Sequence, residues 1–71
     1  MKDREAELEA AAREVEQAQR HVTTQRRILA HIRELGGSTD LAEALLTEFE
    51  NTLKDREARL ERLQEAGRAS G

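Results

Sequence analysis

The fold of this sequence is constrained most by two stretches in which apolar residues recur every seven positions. One short break that contains two glycines joins them. The a positions of the first stretch are Leu8, Val15, Val22 and Leu29. Its d positions, three residues further on, are Ala11, Ala18, Gln25 and Ile32. A heptad sustained over four repeats is typical of a helix that packs lengthwise on another helix. We therefore predict helix 1 over residues 2–35.

The break, from Leu35 to Asp40, is predicted to be the turn between two helices. Gly36 follows the apolar Leu35 where a helix can end through a left-handed residue, a conformation that glycine adopts without strain. Ser38 is predicted to cap the next helix, and Asp40 places negative charge in its first turn. The turn is assigned to residues 36–38.

Helix 2 is predicted over about residues 39–66 and repeats the heptad pattern. Its a positions are Leu46, Leu53 and Leu60, and its d positions are Ala42, Phe49, Arg56 and Leu63. Residues 68–71 lack the periodicity, and we expect them to fray as a tail. Residues 1–67 are therefore predicted to form one all-α domain, an antiparallel two-helix coiled-coil hairpin.

The two heptads also predict an antiparallel register in which small side chains face large ones in several layers, as a filled seam requires. The predicted layers are Ile32–Leu46, Leu29–Phe49, Gln25–Leu53, Ala18–Leu60 and Val15–Leu63. The same register predicts two ion pairs across one flank, Arg33–Glu43 and Arg26–Glu50. Because exposed ion pairs contribute only about 0–1 kcal/mol each, we expect these pairs to fix orientation more than stability.

The other flank of the hairpin, formed by g positions, is apolar near the turn. Two helices alone seldom bury enough apolar area to offset backbone ordering of about 1–2 kcal/mol per residue. A second hairpin packed on this flank would bury it, so we predict a homodimer that forms a four-helix bundle. The predicted interface residues are His21, Ile28, Leu35, Leu41, Leu45 and Thr52.

A span without Asp or Glu, residues 17–33, carries arginines of the kind that contact phosphates. Two of them are assigned above to glutamates, no aromatic residue is interleaved for base stacking, and the net charge is −3. The favoured function is therefore a non-enzymatic oligomerisation or protein-interaction module, which includes docking on a partner helix. The alternative is a nucleic-acid or membrane-surface accessory protein. Its candidate basic patch is Arg20, Arg26, Arg27 and Arg33.

Residue patterns typical of catalysis or cofactor binding do not occur in the sequence. The absence of cysteine excludes thiol catalysis, disulfides and Cys-based zinc sites. His21 and His31 occupy different heptad positions and face different directions, so we predict no metal site. Polar residues at d positions, here Gln25 and Arg56, usually specify register or oligomeric state. We predict a protein that is not an enzyme and needs no cofactor.

Hydropathy gives no membrane or export signal. The longest apolar runs have three residues, such as 28–30, which is too short to span a bilayer. No signal-peptide segment is recognisable either. We therefore expect a cytoplasmic location.

The turn and the start of helix 2 read Gly-Gly-Ser-Thr-Asp-Leu-Ala-Glu-Ala-Leu-Leu over residues 36–46, followed by Phe49. This segment resembles short bacterial helical-hairpin proteins of unassigned function, in which a Gly-x-Asp-Thr turn precedes Ala-Glu-x-Leu-Leu-x-x-Phe. Ser38 stands where Asp is usual in those proteins, and both residues can cap a helix. The resemblance covers residues 19–63. It implies a helical hairpin and transfers no catalytic residue.

Overall fold

The computed structural model describes residues 2–69, in which two helices pack against each other along their length. Helix α1 spans Lys2–Leu35 and helix α2 spans Asp40–Ala69. The molecule is a rod with extents of 54 × 15 × 12 Å. The prediction of an all-α, two-helix hairpin is therefore confirmed.

Helix α1 ends in a Schellman motif at the two glycines of the turn. Gly36 has a φ of 75°, and its N–H donates to the Arg33 carbonyl at 3.1 Å. The N–H of Gly37 donates to the Ile32 carbonyl, also at 3.1 Å. These two bonds satisfy carbonyls that have no partner within the helix. The predicted left-handed exit at Gly36 is confirmed.

The left-handed geometry gives a first testable prediction. Gly36→Ala should lower the free energy of unfolding by about 1–2 kcal/mol, because a residue with a Cβ is strained in that conformation. Nothing lies within 4 Å of the position that the Cβ would take, so the cost is conformational. The matched control is Gly67→Ala in α2, where the new Cβ would make ordinary contact with the Arg4 guanidinium at 3.5 Å. Because glycine is a poor helix former, this second change should stabilise the protein.

Urea unfolding followed by circular dichroism measures both variants. We expect shifts of opposite sign for Gly36→Ala and Gly67→Ala. A stabilising or neutral effect at Gly36 would contradict the left-handed turn.

Helix α2 begins one residue later than predicted. The N–H of Glu43 donates to the Thr39 carbonyl at 2.8 Å, which places Thr39 at the capping position. The prediction that Ser38 caps this helix is therefore wrong by one residue. Ser38 and Thr39 both carry a hydroxyl beside the same turn, so the sequence alone did not show which of them caps the helix.

Helix α2 also ends three residues later than predicted. Arg68 and Ala69 continue the helix, so the prediction that the chain frays from residue 68 is wrong for these two residues. Ser70 and Gly71 lie outside the described residues. The helix continues because α1 still lies beside it, with the Arg4 guanidinium next to Gly67.

The two helices are shifted by one heptad from the predicted register. The contacts that fix the observed register are Gln25–Ala42, His21–Phe49 and Arg4–Gly67. The predicted register places Gln25 opposite Leu53, which lies about 16 Å along α2 from Ala42 at 1.5 Å per residue. The Gln25 Nε2 nevertheless donates to the Ala42 carbonyl at 3.0 Å, which excludes the predicted register.

The predicted layers are therefore wrong, although the seam positions themselves are right. The pairs that do not face each other are Leu29–Phe49, Ile32–Leu46, Gln25–Leu53, Ala18–Leu60 and Val15–Leu63. The observed register instead gives the layers Leu29–Ala42, Gln25–Leu46, Val22–Phe49, Ala18–Leu53 and Ala11–Leu60. Large side chains still lie opposite small ones, so the shifted register satisfies the same packing requirement.

The two predicted ion pairs are confirmed in spite of the shift. Arg33 and Glu43 approach to 3.3 Å, and Arg26 and Glu50 approach to 3.4 Å. In an antiparallel pair, each e residue lies between two e residues of the facing helix that are seven positions apart. A shift by one heptad therefore leaves the same charges within reach.

The buried seam is thin because α1 contributes mainly small side chains. The buried apolar residues in the described range are Ala11, Val15, Ala18, Val22, Leu29 and Ala42. The larger seam residues of α2 are only half-buried, and these are Leu46, Phe49, Leu53, Leu60 and Leu63. The side chains of α2 thus cover α1, while part of their own surface stays open to solvent.

Candidate interaction surface

Four large apolar side chains are exposed in the half of the hairpin near the turn. Their exposed fractions are 45% for Ile28, 73% for Leu35, 74% for Leu41 and 38% for Leu45. All four were predicted as interface residues from the g flank and its neighbourhood. We call this set the apolar flank. Side chains of this type are otherwise the most often buried in proteins.

Three members of the apolar flank border one open depression between the helices. Ile28 comes from α1, and Leu41 and Leu45 come from α2. The other residues that line this depression are Gln25, Ile32, Ser38 and Ala42. Leu35 does not border it, because α1 overhangs the start of α2 by about one turn in the observed register. The depression is an apolar groove with one buried amide at its base.

The other two predicted interface residues, His21 and Thr52, lie together one step further from the turn. Both are exposed and border a second depression, which also contains Glu14 and Arg56. The imidazole of His21 lies against the Phe49 ring with a centroid distance of 5.4 Å. This part of the flank is polar, so the apolar surface is confined to the turn-proximal half.

A cluster of one glutamate and two arginines marks the polar end of this flank. The Glu14 carboxylate lies 3.1 Å from Arg59 and 3.7 Å from Arg56. Arg56 occupies a seam position of the heptad, but the residue is exposed and its guanidinium reaches Glu14 on the flank. The sequence analysis did not predict this cluster, because its register differs from the observed one by one heptad.

The four arginines of the candidate basic patch divide into two groups. Arg26 and Arg33 are paired with glutamates of α2 on the e flank. Arg20 and Arg27 lie on the outer face of α1, beside Thr24, and form no ion pair with a described side chain. The structure therefore separates the four residues onto two faces of the helix.

Gln25 is the one buried polar residue in the described part of the chain. Its side-chain amide donates to the Ala42 carbonyl at 3.0 Å, where the small methyl group of Ala42 leaves the backbone accessible. In the predicted register the same amide would be buried against Leu53 without this acceptor, at a cost of about 1–3 kcal/mol. Gln25 therefore selects between two registers that apolar packing alone would permit.

This role gives a second prediction. Gln25→Leu should change the free energy of unfolding by less than about 1.5 kcal/mol, because one neutral hydrogen bond is lost and apolar area is gained. It should also allow the heptad-shifted register to be populated. Nuclear Overhauser contacts between the rings of His21 and Phe49 report the native register. Contacts from the Leu29 methyl groups to the Phe49 ring would report the shifted one.

The matched control is Gln19→Leu, which makes the same substitution at an exposed position of α1. It should leave a single set of contacts between His21 and Phe49. A single native register in Gln25→Leu as well would show that the amide has no role in register selection.

Among residues 2–69, no group of three or more His, Asp or Glu side chains is arranged to hold a metal ion. His21 and His31 therefore have no shared ligand set in that range. Within the same residues, neither helix contains a stretch that is both long and apolar enough to cross a bilayer.

Comparison with protein-family models, with curated protein sequences and with solved structures gave no match. The resemblance to short bacterial helical-hairpin proteins therefore stays a prediction from the turn and the start of α2.

Proposed function

We propose that this protein is a non-enzymatic oligomerisation and protein-interaction module whose working surface is the apolar flank. The observation that carries the proposal is the exposure of Ile28, Leu35, Leu41 and Leu45 together near the turn. Burial of a side chain of this size contributes about 1.5–3 kcal/mol. A helical surface that covers the apolar flank would therefore gain several such contributions at once.

The thin seam of the hairpin supports self-association in particular. Five of the six buried apolar residues among those the structure describes are Ala or Val, and the large seam residues of α2 are half-buried. The free energy of unfolding of a small domain is only about 5–15 kcal/mol. Burial of a second apolar surface would therefore contribute a large fraction of it. A two-fold pair of hairpins forming a four-helix bundle supplies that contact with one repeated surface.

Sedimentation equilibrium at micromolar concentration tests this proposal directly. We expect a mass of about twice the 8.0 kDa of one chain. A folded, fully helical monomer under these conditions would contradict self-association.

Capture experiments from a bacterial lysate test the wider interaction role. A protein partner that stays bound at high salt would support docking on the apolar flank, because apolar contacts are not screened by ions. A nucleic-acid complex that is lost at high salt and in the R20E/R27E variant would instead support the alternative accessory function.

A further inference from the structure

We infer that the hairpin has a second register, one heptad away from the observed one, and that movement between the two opens and closes the apolar flank. In the second register, which we call the shifted register, α2 has moved by about 10.5 Å toward the turn end of α1. The inference rests on the proposed function for the role of the apolar flank. It adds how that surface is regulated within a single chain.

The ion pairs that join g to g and e to e across the helices fit both registers. The axial offset between Arg26 and Glu50 is about 7.5 Å in the observed register and about 3 Å in the shifted one. For Glu14 and Arg59 the two offsets are exchanged. Because Arg26 reaches Glu50 at 3.4 Å across the longer offset, an arginine bridges either one. These pairs therefore do not oppose the shift.

The connection between the helices, residues 36–39, is long enough for both registers. Five Cα steps from Leu35 to Asp40 span at most about 16–18 Å. The axes of packed helices are about 8–10 Å apart. The start of α2 lies about 6 Å below the end of α1 in the observed register and about 4.5 Å beyond it in the shifted one. The distance to be bridged is about 9–12 Å in both cases.

The shift closes the apolar flank because it places Leu45 between two large apolar residues of α1. Each g residue of an antiparallel pair lies between two g residues of the facing helix. In the observed register these are His21 and Ile28 for Leu45, which is 38% exposed. In the shifted register they are Ile28 and Leu35, and Leu35 is 73% exposed in the observed register. Three members of the flank then cover one another, and Leu41 stays exposed.

The seam layers near the turn also become more apolar in the shifted register. Ile32 is half-buried in the observed register and would face Leu46 after the shift. Leu29 would exchange the methyl group of Ala42 for the ring of Phe49. The large seam residues that the observed register leaves half-buried near the turn therefore have apolar partners in the shifted register.

Contacts at the middle and at the open end of the hairpin hold the observed register. The Gln25 Nε2 donates to the Ala42 carbonyl at 3.0 Å, and the shift removes this acceptor. At the open end Arg4 lies beside Gly67, and the shift withdraws α2 so that residues 2–8 lose their facing helix. The apolar burial gained near the turn offsets these losses. The shifted register is therefore a minor state of the folded chain.

A partner on the apolar flank binds only the observed register, in which the flank is open. Occupation of the flank then favours the observed register, and any contact that stabilises the shifted register releases the partner. The sliding helix thereby connects the turn end of the rod to its open end, where the shift uncovers the half-buried Leu8.

Disulfides trap each register, because the chain has no cysteine of its own and a disulfide needs Cα atoms less than about 7 Å apart. The A18C/L53C variant joins a layer of the observed register. The A18C/L60C variant joins the same two seam positions one heptad further, about 10.5 Å along α2, and closes in the shifted register. The A18C/G67C variant is two heptads away and matches neither register.

Closure in a glutathione buffer is followed by mass spectrometry, which separates bonds within a chain from bonds between chains. We expect A18C/L60C to close more slowly than A18C/L53C but at least about tenfold faster than A18C/G67C, because the folded chain visits the shifted register without unfolding. The loops closed by these bonds differ little in length, so their closure entropies are similar. Equal rates for A18C/L60C and A18C/G67C would overturn the inference.

Two further variants separate the register from effects of the substitutions themselves. The A11C/G67C variant also joins a layer of the shifted register and removes no leucine, so it should likewise close faster than A18C/G67C. Gln25→Leu should speed closure of A18C/L60C by at least about fivefold, because the amide no longer holds the observed register. An unchanged rate would contradict the balance between the two registers.

The closed form of A18C/L60C tests the connection to the apolar flank. Nuclear Overhauser contacts should join Leu35 and Leu45 within one chain, and their absence would overturn closing of the flank. If the natural chain is a dimer, closed A18C/L60C should associate at least about tenfold more weakly than closed A18C/L53C, because the apolar surface is already covered. Equal association of the two would overturn the coupling.

The results distinguish this inference from the proposed function. A monomeric natural chain would overturn self-association, while the closure rates and the contacts between Leu35 and Leu45 would still decide whether the register shifts. A dimeric natural chain in which A18C/L60C closes only as fast as A18C/G67C would support the proposed function and overturn the shift.

Discussion

Ile28→Glu should dissociate the dimer and lower the helical content at micromolar concentration. Ile28 is 45% exposed in the single hairpin, so a glutamate there costs the isolated hairpin little. In the proposed dimer it would bury a charge in an apolar contact next to Leu45, which is expensive unless the charge is paired. The two-fold axis doubles this cost, because each dimer contains the change twice.

Sedimentation equilibrium and circular dichroism on the same samples measure the two effects. We expect at least about a hundredfold loss of association, corresponding to about 2.8 kcal/mol. Helicity should fall with dissociation, because the thin seam is left to stabilise the hairpin alone. The matched control is Ala30→Glu, which introduces the same side chain on the exposed opposite side of α1 and should change neither quantity.

A dimer that persists in Ile28→Glu would show that the two copies meet through another surface. Loss of helicity in Ala30→Glu as well would show that a new negative charge in α1 is harmful wherever it lies.

Leu29→Ala should have the largest effect on the hairpin itself. Leu29 is 6% exposed and is the only buried leucine in the described residues, with the small Ala42 opposite it. Truncation of a buried leucine costs about 2–5 kcal/mol because apolar contact is lost and a cavity remains. The facing side chain is only a methyl group, so little can move in to fill the space.

Denaturant unfolding followed by circular dichroism measures this loss. The comparison is Leu63→Ala, which removes the same atoms from a half-buried position near the open end and should cost less than half as much. Equal losses at the two positions would contradict the difference in burial between Leu29 and Leu63.

Much of the fold follows from local features of the sequence. Gly36 and Gly37 determine where α1 ends, because the Schellman motif needs a left-handed residue followed by a free N–H. The heptads determine which face of each helix is buried, since residues seven apart share one side. Ile28 and Leu45 at g positions identified the exposed flank before any contact was known. These features depend on near neighbours in the chain, so the sequence alone was sufficient for them.

The ion pairs on the e flank were also predictable, but they could not identify the register. Arg26 reaches Glu50 in both registers that the heptads permit, because the alternatives differ by one full repeat. A periodic sequence looks the same after such a shift, and matched charges or alternating side-chain sizes then support either choice.

Only the tertiary structure decided the register, and with it the polar contacts of the flank. The decisive contact is the hydrogen bond from Gln25 to the Ala42 carbonyl. A buried amide must find an acceptor, and a backbone carbonyl is accessible only where the facing side chain is small. That requirement joins positions 17 residues apart and breaks the periodicity that made the registers equivalent. The same shift brings Arg59 to Glu14 on the flank. The sequence by itself therefore determined the helices, their turn and their buried faces, whereas the layer pairing depended on one long-range hydrogen bond.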